Sequence, residues 1–290
     1  MRPAGSVIVF TSLSGAGFGM IVFLALGFPA ATGPGAFALW SLACALTVSG
    51  LLSSVLHLAR PSRAILAFSQ WSSSWLSREG ILALAALLAA APVALGQILA
   101  AWQWLALDIA AASLALLTVF STAMIYTQLR AVPRWNMAVT PLLFLVHSLA
   151  SGAVLTGRGW WAVLLLALLG ALQVATWHLG GRRFARVGAT LASATGQPDA
   201  AAIRLFERSH TARDWVMQEM AGRIGRKQSR KLRVIGLALV AVLPALVLAA
   251  APGSLIATAL AAILHLAGTL ICRWLFFAEA EHVAGLYYGG

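Results

Sequence analysis

The sequence is poor in charged residues. Only 10% of its 290 residues are charged, against about 25% in an ordinary soluble domain, and only 8 are Asp or Glu. Hydrophobic residues make up 61%, and several uncharged stretches reach the roughly 20 residues that a helix needs to cross a bilayer. This composition excludes an ordinary soluble domain and predicts an all-α polytopic membrane protein. The sequence pI of about 11.5 would suggest nucleic acid in a soluble protein, but basic loops on one side of a membrane explain it here, so no nucleic-acid partner is expected.

Cysteine is also scarce. The two cysteines, Cys44 and Cys272, fall inside apolar segments, without CxxC spacing and without neighbouring ligand residues. This pattern argues against a structural zinc or an iron–sulfur cluster within the chain. We therefore expect no metal site here, and interpret both cysteines as buried apolar side chains.

Eight membrane-spanning helices are predicted, and they form a single transmembrane domain over residues 1–290. Glycine and proline end several of them. The predicted spans are Ser6–Gly27, Ala36–Leu58, Ile81–Leu99, Trp102–Thr127, Met137–Leu155, Trp160–Leu179, Val234–Ala250 and Ser254–Phe277.

The basic residues divide unequally between the two sides of these spans. An even number of spans puts both termini on one side, and only Arg158 falls on the other. The positive-inside rule then predicts a bacterial inner-membrane protein with its termini and basic loops in the cytoplasm. The basic residues on the cytoplasmic side are Arg2, Arg60, Arg63, Arg78, Arg130, Arg134, those from Arg182 to Arg233, and Arg273.

One long basic loop, residues 180–233, joins the sixth and seventh spans. After Asp199, apolar residues recur near helical spacing between charged ones, which predicts an amphipathic helix. Such a helix lies among lipid headgroups or docks a partner protein. No internal repeat is evident, which disfavours a transporter built from inverted halves. The apolar residues are Ile203, Phe206, Met217, Met220 and Ile224.

A polar segment, HLARPSRAILAFSQWSSSWLSREG (residues 57–80), separates the second and third spans. His57 ends one span and Glu79 opens the next, so both are expected at the basic interface. Phe68, Trp71 and Trp75 suggest a short interfacial helix packed against the bundle.

This arrangement suits the oxidation of a quinol, which releases two protons and two electrons. A neutral imidazole can accept a proton within hydrogen-bond reach, and a nearby carboxylate can pass it on to water. Arg60, Arg63 and Arg78 could hold that carboxylate ionised and orient a quinone oxygen. Trp71 or Trp75 could pack against the quinone ring. In the simpler alternative, His57 satisfies a helix end, the arginines follow the charge bias and Glu79 neutralises one of them.

Other titratable residues lie within or near the spans. Four histidines at two depths could ligate two haems as axial pairs, although hydrogen bonding to a neighbouring helix is the simpler alternative. They are His57, His147, His178 and His265. Asp108 is the only carboxylate well inside a predicted span, towards the side opposite the basic one; it belongs to a proton or water path, or caps polar backbone.

Three stretches resemble the membrane-anchor subunits of the dimethyl sulfoxide reductase family. They are residues 57–80, the closing stretch RWLFFAEAEHVAGLYYG (residues 273–289), and EMAGRIGRKQSRKLR (residues 219–233). With the plan of eight spans, the resemblance covers essentially the whole chain.

The resemblance implies an anchor without haem or metal of its own. It implies oxidation of menaquinol or ubiquinol, as in anaerobic respiration, and electron transfer to an iron–sulfur subunit that feeds a molybdopterin enzyme. The family's functional histidine and glutamate correspond to His57 and Glu79. The resemblance also implies that Arg60, Arg78, Trp71 and Trp75 line the site. Some family members carry their catalytic subunits on the periplasmic face, whereas the charge bias places this site inside. The reverse reaction, in which a dehydrogenase partner reduces quinone, stays open.

Overall fold

A computed structural model describes residues 3–56, 61–100, 102–190 and 224–288. Only the backbone is described at residues 61–64, 100, 224–227 and 287–288. The described part of the chain is helical and contains no strand.

The described residues form eight helices, α1 to α8, in chain order. Helix α3 continues through a π-helical turn, and α7 is an uninterrupted run of three helical pieces. Their bounds are α1 Gly5–Ala25, α2 Gly33–Val55, α3 Trp75–Leu95 with the turn Gly96–Ala100, α4 Leu105–Thr127, α5 Val139–Leu155, α6 Gly159–Val187, α7 Ile224–Leu237 with Ala238–Val242 and Leu243–Ala250, and α8 Leu255–Ala278. Short 3₁₀ helices cover Pro61–Gln70 and Val283–Tyr288.

Among the described residues, seven helices are long and apolar enough to cross a membrane, and α5 is a shorter apolar helix. The predicted plan of about eight helices in a polytopic membrane protein is confirmed. Large apolar side chains cover much of the outer surface, as expected of a surface that faces lipid.

Three helix boundaries differ from the prediction by six residues or more. Helix α3 begins at Trp75 rather than Ile81 because Ser74 caps it, accepting a hydrogen bond from the Ser77 amide at 3.4 Å. Helix α6 passes the predicted end at Leu179 and stops where Gly188 adopts a left-handed conformation with φ of 64°. Helix α7 begins ten residues before the predicted Val234.

Both described ends of the predicted loop 180–233 are therefore helical. The amphipathic helix predicted after Asp199 lies outside the described residues, apart from the backbone of Ile224. Its existence stays a prediction.

Helix α1 forms the centre of the bundle. It packs on α2, α4, α5 and α8, and most of its residues are buried. Small residues permit this packing, since a Cβ added at Gly19 would collide with the backbone of Ser148 on α5, and one at Gly17 would collide with Thr47 on α2.

One end of the bundle gathers the basic side chains, and we call it the basic end. The Glu279 carboxylate, just after α8, binds Arg134 from the α4–α5 loop and accepts a hydrogen bond from Arg233 Nε of α7 at 2.7 Å. Burial lowers the pKa of Arg134, and the adjacent Glu279 carboxylate opposes that change. The Val283 amide donates to the Ala131 carbonyl at 2.9 Å. These contacts join the C-terminal segment to the ends of α4 and α7.

Arg158 lies at the opposite end. Its guanidinium carbon is 4.3 Å from the centre of the Phe28 ring, which belongs to the α1–α2 connection. The charge pattern of the sequence predicts that Arg158 lies apart from the other basic residues, and this contact agrees with that division.

Candidate functional site

The sequence-predicted site residues are only partly described. His57 and Arg60 lie outside the described residues, and of Arg63 only the backbone is described, within the 3₁₀ helix. The described members are Trp71, Trp75, Arg78, Glu79 and Asp108. A meeting of His57 with Glu79 therefore stays a prediction.

Glu79 lies in the second turn of α3 and is 4% exposed. Its carboxylate accepts a hydrogen bond from the Thr122 hydroxyl of α4. The position near the start of α3 suits a negative charge, since the helix dipole is positive there. A buried carboxylate inside a membrane bundle is costly, and such groups usually mark a functional site.

The polar segment packs beside this carboxylate. The Ser77 hydroxyl donates to the Ala67 carbonyl of the 3₁₀ helix. The Phe68 ring approaches Gly80, where an added Cβ would lie 3.2 Å from the ring. Ala67 and Phe68 of the polar segment thus pack against α3 at Ser77 and Gly80, on either side of Glu79 in the sequence.

Two tryptophans and Arg78 form the outer edge of this region. The Trp75 ring packs edge-on against Phe120 of α4, with 5.9 Å between ring centres. The Trp71 side chain is 64% exposed. Arg78 Nε donates to the Trp71 carbonyl at 2.9 Å, and its guanidinium lies 4.5 Å from the centre of the Trp75 ring.

Arg78 therefore binds backbone carbonyls of the polar segment and does not bind the Glu79 carboxylate. It also donates to the Ser72 carbonyl at 2.6 Å, and no ion pair between Arg78 and Glu79 occurs in the described part of the chain. A role for Arg78 towards a quinone stays a prediction.

Two further polar side chains lie near the C-terminal ends of α4 and α8. Tyr126 lies one helical turn after Thr122 on α4, and its ring centre is 5.9 Å from that of Phe144. Arg273 of α8 is 4% exposed, and its guanidinium carbon lies 3.7 Å from the centre of the Phe144 ring. Sequence reasoning missed both residues and counted Arg273 among the basic-side charges.

The two central histidines are engaged with neighbouring helices. His147 Nε2 is hydrogen-bonded to the Thr269 hydroxyl at 2.9 Å. His265 Nδ1 donates to the Val240 carbonyl at 2.6 Å, which leaves Nε2 to accept from the Ser151 hydroxyl at 2.8 Å. A haem ligated by His265 would have to break one of these bonds. The contacts favour the hydrogen-bonded alternative for this pair, whose rings are 5.7 Å apart.

His178 is the third histidine of the haem hypothesis whose side chain is described. It is exposed on α6. The described residues contain no group of three or more His, Cys, Asp or Glu that could hold a metal ion. The Glu79 carboxylate can exchange protons, and it lies on α3 four residues after Trp75.

Asp108 is buried in the first turn of α4, at the end of that helix remote from Thr122 and Glu79. The proton path predicted there stays a prediction. If it exists, Asp108→Asn slows quinol-dependent turnover of an assembled complex.

The described features are those of a membrane bundle in which the buried Glu79 carboxylate meets Thr122 between α3 and α4. Residues 3–289 match the family model described as DMSO reductase anchor subunit (DmsC). The chain belongs to this family. As a DMSO reductase anchor subunit, it is the multi-pass membrane component of a multi-subunit molybdopterin oxidoreductase.

A curated relative of this anchor protein is one of the subunits of the sulfite dehydrogenase of Allochromatium vinosum. The two are 35% identical over 328 aligned residues, which cover 99% of each chain. No solved structure matches the chain. The family resemblance drawn from the three sequence motifs is confirmed by both protein comparisons.

Proposed function

We propose that this anchor protein oxidises quinol beside Glu79 and His57 and passes the electrons to an iron–sulfur partner subunit. The observation that carries the proposal is the Glu79 carboxylate itself. It is buried, it accepts a hydrogen bond from Thr122, and it lies where the polar segment after His57 packs on α3.

The chemistry follows from what each group can do. A quinol gives up two protons and two electrons. The Glu79 carboxylate and a neutral His57 imidazole are both proton acceptors, and water lies beyond the basic end. Burial keeps water from competing for the carboxylate, and the Thr122 hydroxyl holds the carboxylate in one orientation.

The aromatic edge supports the binding of a quinol headgroup. Trp75 packs against Phe120, and Trp71 is exposed at the outer edge. Flat aromatic faces at the membrane interface suit a flat ring that arrives from the lipid.

The electrons leave the quinol for another chain. An iron–sulfur cluster in a partner subunit is the acceptor we propose, and it passes electrons to a molybdopterin subunit. We place the partner on the basic end, with the loop 180–233 as part of its docking surface. We further propose a single transmembrane domain in the bacterial inner membrane, with this end in the cytoplasm.

The opposite direction is a second candidate, and the curated relative favours it. That relative is named as part of a sulfite dehydrogenase, and a dehydrogenase removes electrons from its substrate. The same site would then reduce quinone, with Glu79 and His57 supplying protons instead of accepting them.

Turnover of the assembled complex tests the proposal. We expect Glu79→Gln and His57→Ala to abolish electron exchange with a quinol, while a soluble dye still exchanges electrons with the catalytic subunit. Glu79→Asp, which keeps a carboxylate, should retain part of the activity. Normal quinol turnover in both Glu79→Gln and His57→Ala would contradict the proposal. Comparing quinol oxidation with quinone reduction in the unaltered complex decides the direction.

A further inference from the structure

A cleft lies in the outer surface of the bundle between α6 and α7, and we call it the α6–α7 cleft. Its volume is about 570 Å³, within the range of roughly 300–1,000 Å³ that is typical of ligand sites. The lining residues run from Val163 to Val174 on α6 and from Leu237 to Ala249 on α7. All of them are Gly, Ala, Val or Leu, so the cleft suits an apolar chain and no polar group.

Contacts behind the α6–α7 cleft hold its floor in place. A Cβ added at Gly170 of α6 would lie 3.4 Å from the Ala241 Cβ of α7, so the two helices touch there. Ala241 belongs to the π-helical turn of α7. Next to it, the Val240 carbonyl accepts a hydrogen bond from His265 Nδ1 at 2.6 Å, and a Cβ added at Gly268 would collide with the Val240 backbone. Helix α8 therefore fixes α7 at this turn, and the cleft is a stable feature of the fold.

The α6–α7 cleft opens towards lipid. Its rims are exposed side chains, Val174 on α6 and Val242 and Leu246 on α7. The lining from Leu237 to Ala249 extends about 18 Å along α7, at about 1.5 Å per residue. One leaflet contributes about half of the roughly 30 Å hydrocarbon core. The cleft therefore matches a lipid acyl chain in length as well as in chemistry.

Exposed cations from both helices lie beyond the basic end of the cleft. On α7, Arg230 precedes the lining residue Leu237 by seven residues, or two helical turns, and so lies on the same face. On α6, Arg182 follows the lining residue Ala171 by eleven residues, or three turns, and shares its face. Both arginines are exposed. The ion pairs of the described residues, which are made by Glu279, do not include them.

A third arginine joins the two helices at this mouth of the cleft. Arg233 precedes Leu237 by one turn, and its guanidinium carbon lies 5.7 Å from the centre of the Trp177 ring of α6. Its Nε binds Glu279. Neither α6 nor α7 contains an Asp or Glu in the described part of the chain. The mouth of the cleft is therefore positively charged and suits an anion.

We propose that the α6–α7 cleft binds one anionic phospholipid, with an acyl chain in the cleft and the phosphate on Arg182 and Arg230. Arginine binds phosphate through paired N–H groups, and basic pockets between membrane helices recognise anionic headgroups. A quinol tail would also fit an apolar cleft, but a quinol headgroup is uncharged and gains nothing from the arginines. The quinol site proposed at Glu79 also lies between a different pair of helices, so the lipid site is independent of it.

Native mass spectrometry of the purified, assembled complex tests the headgroup site. The probes are phosphatidylglycerol, which is anionic, and phosphatidylcholine with the same acyl chains, which has no net charge. We expect one phosphatidylglycerol per anchor chain, bound about tenfold more tightly than phosphatidylcholine. Arg182→Gln and Arg230→Gln should each weaken phosphatidylglycerol binding about fivefold, the contribution of one cation at a membrane surface. The matched control is Arg130→Gln, which removes an exposed charge from the α4–α5 connection and should have no effect.

A second pair of variants tests the acyl-chain site. Ala171→Trp fills the cleft from an exposed lining position of α6 and should abolish phosphatidylglycerol binding. Leu168→Trp places the same ring at an exposed position of α6 that does not line the cleft, and binding should persist. If Ala171→Trp does not assemble, the arginine variants still decide.

Three results would overturn the inference. The first is equal binding of the two phospholipids by the unaltered complex. The second is phosphatidylglycerol binding that is unchanged in both Arg182→Gln and Arg230→Gln. The third is an assembled Ala171→Trp complex that loses a bound quinol and keeps its phospholipid, since a quinol tail would then be the occupant of the cleft.

Discussion

Removing one hydroxyl beside Glu79 tests how the carboxylate is held. Thr122 donates to Glu79 and lies 3.1 Å from the Thr118 carbonyl of its own helix. Thr122→Val replaces the hydroxyl with a methyl group of nearly the same size, so the packing between α3 and α4 is kept. The carboxylate loses its one hydrogen bond from the described part of the chain.

The size of the effect follows from the burial of Glu79. A hydrogen bond to a charged group contributes about 1.5–3 kcal/mol, and water cannot easily replace it because Glu79 is only 4% exposed. Each 1.4 kcal/mol is about a factor of ten in an equilibrium. The charged, proton-accepting form of Glu79 should therefore become roughly 10- to 150-fold rarer at a fixed pH in the acidic limb.

Thr118→Val is the matched control. Thr118 is also buried on α4, one turn earlier, and its hydroxyl donates only to the Leu114 carbonyl of the same helix, at 2.8 Å. The assay is quinol-dependent turnover across pH, divided by dye-dependent turnover of the same preparation. We expect Thr122→Val to move the acidic limb to higher pH, and Thr118→Val to leave it in place. Identical profiles for the two variants would refute the reasoning.

Three further predictions concern stability. Gly19→Leu should prevent α1 from packing on Ser148, and the yield of folded protein in membranes should fall sharply. A leucine introduced at an exposed position of the same helix should leave that yield unchanged. Glu279→Gln should destabilise the detergent-solubilised chain by about 3 kcal/mol, since it leaves two arginines without their carboxylate, and thermal unfolding measures this. Gln97→Leu should cost about 1–3 kcal/mol, because Trp40 Nε1, now 2.8 Å from the Gln97 side-chain oxygen, would lose its acceptor; quinol turnover per assembled complex should not change.

Hydropathy was sufficient to predict the eight helices, because a membrane span must satisfy its backbone hydrogen bonds within itself. It was insufficient for their ends. Helix α3 starts six residues early, since Ser74 can cap it, and Glu79 is consequently inside the helix and not at its first residue. Helix α7 includes the basic stretch before Val234, which hydropathy leaves out of the span because its residues are charged.

Some residues of the candidate site could be predicted from the sequence, and others could not. The polar segment and Glu79 stood out because charge is so rare between two apolar spans. Arg273 did not, because its position near the end of a span made it one more basic-side residue. Only the packing of α8 against α5, with Tyr126 facing inwards from α4, shows that it is buried. One available signal was the spacing of Thr122 and Tyr126, which places two hydroxyls on one face of an apolar helix.

The most direct test of the central claim is an experimental structure of the assembled complex with a quinol analogue bound. The account predicts the ring of the analogue between the His57 imidazole and the Glu79 carboxylate, with a ring oxygen within about 3.2 Å of one of them. An analogue bound elsewhere, for example beside His147 and His265, or a His57 side chain remote from Glu79, would contradict it.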